Sequence, residues 1–169
     1  MTEKRRRTIF IITFSVLLAF TLGLIWGNSV RDANKSADQS SAVYEEVKTA
    51  TTTVVGEERA EEFFSRFTLK DFRKLAHVIE YFVLSIEVAC LFCVIFGAKK
   101  TTLKYLPVSI LSGIFTAVID ETVQIFSNRG SSVADVWVDA SGYVIGTLVA
   151  TVIIAIAVSV GKKRETARK

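Results

Sequence analysis

The sequence predicts an all-α integral membrane protein: a bundle of four transmembrane helices, both termini cytoplasmic, with an amphipathic helix in its long extracellular connection. Three observations lead there. Half of the 169 residues are hydrophobic, and they gather into four blocks, each close to the roughly 20 residues that cross a bilayer as a helix. The basic residues flank those blocks instead of forming one face. Ionisable residues also sit inside three of the blocks, where hydrocarbon makes them costly unless they face protein or a wet cavity. A single membrane domain over residues 1–169 accounts for all of this.

The first span, about residues 8–26, follows the basic run Lys4, Arg5, Arg6 and Arg7. A signal peptide starts the same way, but its apolar core is about 7–15 residues long. Here the core is longer and no small-x-small cleavage site follows, so the span is expected to be retained. Trp26 sits where an interfacial anchor belongs. Residues 27–73 form the one long polar connection. Within it, near-helical apolar spacing, with Phe63, Phe64 and Phe67 on one side, predicts a short amphipathic helix lying on the membrane or capping the bundle. The second span covers about residues 74–97 and the third about 105–126, with Pro107 near its first turn, where a missing N–H is tolerated. The fourth covers about 133–160, and residues 161–169 form a basic tail.

Charge sets the orientation. With both termini inside, the cytoplasmic segments carry twelve basic residues against two acids, Glu3 and Glu165, while residues 28–71 carry nine acids and six bases. The positive-inside rule then places both termini in the cytoplasm of a multi-pass protein and the long connection outside. The net charge of +4 does not imply nucleic acid, because no basic face exists to bind it. Cys90 and Cys93 lie in an apolar block with no second pair to complete a zinc set, so they read as packing residues.

Depth brings the polar residues together. At 1.5 Å per residue, His77 lies about 4–5 Å and Glu80 about 9 Å below the outer start of the second span. Asp120 lies about 6–9 Å below the outer end of the third span, Asp135 in the first turn of the fourth, and Asp139 one turn deeper. Direction agrees: Lys74, His77 and Glu80 form one ridge, Asp120 and Gln124 share a side with Glu121 adjacent, and Asp135, Asp139, Gly142 and Gly146 make one stripe. The glycine pair allows another helix backbone to approach closely. Seven acids, Asp71, Glu80, Glu87, Asp120, Glu121, Asp135 and Asp139, outnumber the four cations Arg73, Lys74, His77 and Arg129. Carboxylates crowded in a low dielectric hold protons, bind a cation or line a wet cavity.

At these residues the chain resembles the VanZ-like family of bacterial membrane proteins. The resemblance rests on IWGNSVRDANKSADQSSAVYEEV after the first span, RKLAHVIEYFVLS opening the second, and DETVQIFSNRGSSVADVWVDASGYVIG across the last two. The family often has Pro-Gly before its motif arginine, where this chain has Ser127 and Asn128. The family's motif positions fall on Lys74, His77, Glu80, Tyr81, Asp120, Glu121, Gln124, Arg129, Asp135 and Asp139, with no catalytic assignment attached. The family is named for a protein associated with teicoplanin resistance in Gram-positive bacteria, so the resemblance implies a cell-envelope role.

Two functions follow as expectations. In the first, a membrane-embedded hydrolase or transferase acts at the outer leaflet on a lipid-linked envelope precursor. His77 is its general acid or base, oriented by Glu80. Asp120, Glu121 and Asp135 bind a divalent cation or supply a second acid–base group, and Arg129 and Lys74 hold a phosphate. In the second, the same cavity binds a lipid headgroup or a lipoglycopeptide without turnover. A proton- or ion-coupled carrier, and an ion-pair network that only holds the helices in register, are the remaining readings.

Overall fold

The computed structural model describes residues 2–31, 33–127 and 132–166. Among them are six helices and no strand: α1 (Glu3–Val30), α2 (Ala33–Val55), α3 (Glu57–Arg66), α4 (Leu69–Phe96), α5 (Ala98–Phe126) and α6 (Val133–Thr166). Four are long and apolar enough to cross a membrane: α1, α4, α5 over Tyr105–Phe126 and α6 over Val133–Gly161. The all-α, four-span architecture is therefore the observed one.

Local chemistry moves several boundaries. α4 begins at Leu69, before the expected start, because Thr68 and Asp71 close a capping box. The Asp71 N–H donates to Thr68 Oγ1 at 3.4 Å and the Thr68 N–H to Asp71 Oδ2 at 2.9 Å, which satisfies two donors that a helix start otherwise leaves open. α5 begins directly behind Gly97, whose φ of 80° is one that a residue without a Cβ adopts freely. Pro107 consequently lies in the interior of α5 and not in a first turn.

The long connection folds more than the sequence suggests. In place of one short amphipathic helix it forms α2 and α3, divided at Gly56 with φ 90°. Tyr44 of α2 ties this pair to the bundle. Its ring meets Phe64 and Phe72 edge-on at 5.4 and 5.7 Å, and its hydroxyl donates to the Phe67 carbonyl at 2.8 Å. The three phenylalanines do not share one buried side, since Phe64 is buried while Phe63 is exposed.

In the bundle α4 makes its largest contact with α6, both touch α5, and α1 packs on α4 and α5. The α4–α6 contact is close because Gly142 and Gly146 lie against the α4 backbone at Val78 and Phe82. Antiparallel α1 and α4 are pinned at one end by Arg7, which donates to the Val94 and Ile95 carbonyls at 3.1 and 2.7 Å. These belong to the last turn of α4, whose carbonyls have no partner within the helix. Trp26, partly buried, packs against the core of Ile25, Tyr81, Leu84, Ala117 and Tyr143.

The interior is more polar than a soluble core, and the outer faces are apolar. Ser109 and Thr147 hydroxyls lie 3.1 Å apart, Ser112 bonds Tyr143 at 3.1 Å, and Tyr105 donates to the Ser85 carbonyl at 3.2 Å. Leu111, Phe115, Ile153 and Ile156 point outward. Small and hydroxylated residues at helix contacts, with apolar residues facing out, are how helices associate in lipid.

Candidate functional site

At one end of the bundle α1 and α5 finish while α4 and α6 begin. The polar residues singled out from the sequence converge there. On α4, the Lys74 ammonium lies 3.3 Å from Asp135 Oδ1 of α6. One turn deeper, His77 Nδ1 lies 3.7 Å from Asp139 Oδ1 and 3.9 Å from Glu80 Oε2. Glu80 accepts from the Asn28 amide at 3.4 Å.

From α5, Asp120 is fully buried. The Ser29 hydroxyl donates to its Oδ1, and the Gln124 amide donates to Oδ2 at 3.1 Å. Glu121, also buried, accepts from the Ser132 backbone N–H at 3.1 Å through Oε2. From α6, Asp139 is 2% exposed, and its Oδ2 has no hydrogen-bond partner among the described residues. Tyr81 is fully enclosed, and its hydroxyl likewise has no such partner.

The expected cation set, Asp120, Glu121 and Asp135, does not form. Asp135 is drawn to Lys74 at the rim and Glu121 to Ser132, whereas His77, Asp120 and Asp139 each place one candidate ligand atom within 4.8 Å of the others. Helical phase explains the difference: Asp120 and Glu121 are adjacent and so point about 100° apart. Glu87, deeper in α4, is outside the cluster and accepts from Thr21 at 2.9 Å. Arg129 lies outside the described residues.

Three cavities surround the cluster. One of about 460 Å³ is lined by Lys70, Arg73, Lys74, His77, Glu121, Gln124, Asp135 and Asp139, with Leu69 and Val138. Its size is that of a small-molecule pocket. A second, of about 270 Å³, lies under α2 and is bounded by Asn28, Arg31, Gln39, Arg73, His77 and Glu80. His77 and Arg73 line both, so Glu80 stands on the far side of the imidazole from the larger cavity. A third, of about 390 Å³, is an apolar cleft between α5 and α6 that also touches Glu121.

Sequence reasoning missed α1. Asn28 and Ser29 come after the apolar block, where a polar residue reads as the start of a loop. The available signal was spacing, since Ser29 lies four residues after Ile25 and both are fully buried. Among the comparisons with known proteins, the model of the family described as VanZ/LLP1 matches residues 14–155, a stretch that contains every described residue of the site. No curated protein and no solved structure matches the chain.

Proposed function

The chain belongs to the VanZ/LLP1 family, and from that premise we propose that it binds and acts on a lipid-linked cell-envelope component at the outer leaflet of a bacterial membrane, as a hydrolase or transferase. The observation that carries this reading is the arrangement of the 460 Å³ cavity, with Lys70, Arg73 and Lys74 on its α4 wall and Asp139 and His77 deeper in the bundle. Cations at the entrance receive an anionic headgroup such as a phosphate. The buried groups below are where charge and protons are handled away from water. Glu121 lines the cavity and is the carboxylate placed to take a proton from an attacking water and return it. The apolar cleft beside Glu121 leaves room for the lipid's chain.

The charge distribution supports placing both termini in the cytoplasm and this cavity outside. There, altering an envelope lipid changes how much teicoplanin reaches its target. One observation favours a second reading, a binder without turnover: no described residue lining the cavity is a serine, threonine or cysteine, so a covalent intermediate on such a side chain is not available.

The test is a deletion strain complemented with wild type, Glu121→Gln or His77→Ala at matched membrane abundance. Alongside it, the purified protein is incubated with envelope lipid extract. Loss of teicoplanin tolerance in both variants, together with lipid conversion at sub-stoichiometric protein, supports the enzyme. Loss of tolerance without conversion favours the binder. Unchanged tolerance at normal abundance defeats both.

A further inference from the structure

We infer that the cleft between α5 and α6 is the hydrocarbon subsite and sideways entrance for a membrane lipid whose anionic headgroup lies in the neighbouring cation-lined cavity, and that Ala140 sets how deep the lipid's chain reaches. The inference rests on the reading of that cavity as a headgroup site, and it assigns the ligand to the amphiphiles, since a soluble phosphate compound would fill the cavity and leave the cleft empty. Glu121 carries the connection. It is buried, and it lines both the cavity of about 460 Å³ that holds Lys70, Arg73 and Lys74 and the cleft of about 390 Å³. Cations on one side of Glu121 and hydrocarbon on the other match a single molecule with a charged head and an apolar chain.

The cleft opens onto lipid. Val118, Ile125, Val133 and Trp137 line it, and all four are exposed apolar side chains. Both walls belong to segments long and apolar enough to cross a membrane, so the medium beside the opening is hydrocarbon. A ligand drawn from the bilayer reaches the cavity by this route without its chain passing through water, where every exposed apolar group is unfavourable.

Depth selects a lipid chain over a second copy of the protein. On α5 the lining runs from Ile125 to Ile114, a rise of about 16 Å at 1.5 Å per residue. The hydrocarbon core of a whole bilayer is about 30 Å thick, so the cleft spans one leaflet. A helix of a second copy would cross both leaflets and would lay its apolar face against Glu121, where a carboxylate is costly. The chain of a lipid from the adjacent leaflet has the matching length, and it ends where Glu121 begins the polar surface. Ala140, 4% exposed, is the deepest lining residue of the α6 wall, and its small side chain leaves the space that the chain's end occupies.

The experiment uses the full chain in neutral detergent and measures binding of radiolabelled dioleoyl phosphatidylglycerol and of glycerophosphoglycerol, its deacylated headgroup. Ala140→Phe fills the deep end of the cleft, and Thr122→Trp, at an exposed lining position beside Glu121, fills the end next to the headgroup. Each should weaken lipid binding about tenfold, the scale of bulk forced into a filled space, and leave glycerophosphoglycerol binding unchanged. A short-chain phosphatidylglycerol should escape the effect of Ala140→Phe but not that of Thr122→Trp. Should Ala140→Phe fail to elute as folded protein, Thr122→Trp carries the test. Unchanged lipid binding in the variants, or an equal loss for glycerophosphoglycerol, overturns the subsite. A wild-type dimer that Thr122→Trp dissociates without weakening lipid binding overturns it in favour of a contact between two copies. Wild type that binds glycerophosphoglycerol as tightly as the lipid removes the cleft and keeps the headgroup reading, whereas wild type that binds neither removes both.

Discussion

A Cβ placed on Gly142 of α6 would overlap the carbonyl oxygen of Val78 in α4, one residue from His77. The two backbones touch there, one turn below the Asp139–His77 pair. Backbone cannot move aside as a long side chain can, so Gly142→Ala forces α4 and α6 apart. The expected cost is about 1–3 kcal/mol, read as reduced membrane abundance and lower unfolding temperature in detergent, with Gly142→Leu worse. Gly146→Ala meets the Ser85 hydroxyl and the Phe82 carbonyl, and because the hydroxyl can rotate it should cost less than Gly142→Ala.

Glu87 gives a second stability prediction, independent of the site. Its Oε1 accepts from Thr21 at 2.9 Å, which links α4 to α1 in the apolar part of the bundle. Hydrogen bonds between membrane helices contribute about 0.6 kcal/mol on average and up to about 1.7. Thr21→Val should fall in that range, while Glu87→Gln keeps an acceptor and should be near neutral. Both should leave teicoplanin tolerance unchanged when abundance is matched.

The four spans were legible because hydrocarbon imposes length and composition on any crossing helix, and a close helix approach on α6 was legible as the repeat of Asp139, Gly142 and Gly146, although the repeat did not say that α4 makes it. The inward acid on α5 was not legible. Asp120 and Glu121 are adjacent and chemically alike, and spacing could not say which one faced the centre until packing set the helix phase. Ser29 was hidden for a different reason, since a polar residue on a helix extending past its apolar block looks like loop. The helices α2 and α3 were only partly legible because residues 33–55 are rich in alanine, serine and threonine, which give little apolar periodicity. Tyr44, which anchors them, acts through tertiary contacts that leave no local pattern.

Lys74 separates function from stability. Its ammonium pairs with Asp135, but the two side chains are 39% and 33% exposed, and such pairs contribute about 0–1 kcal/mol. Lys74→Met should therefore change the unfolding temperature little. It should weaken binding of an anionic headgroup, measured with fluorescent phospholipid of one headgroup type in detergent. It should also make that binding less sensitive to salt, because a charge contact has been removed. Unaltered affinity would mean that Lys70 and Arg73 hold the headgroup without it, or that the ligand carries no charge.

The last prediction concerns the side of the membrane on which the site opens. In a background with Cys90→Ser and Cys93→Ser, Ser132→Cys should react with a membrane-impermeant maleimide in intact cells, whereas Gly161→Cys should react only after permeabilisation. Both positions are exposed at opposite ends of α6, so each reports its own side of the bilayer. The expectation follows from the twelve basic residues on the segments assigned to the cytoplasm, since positive charge resists translocation. A reversed pattern would put His77, Asp120 and Asp139 at the inner leaflet. It would exclude any direct encounter with an extracellular antibiotic, and with it the proposed action at the outer leaflet.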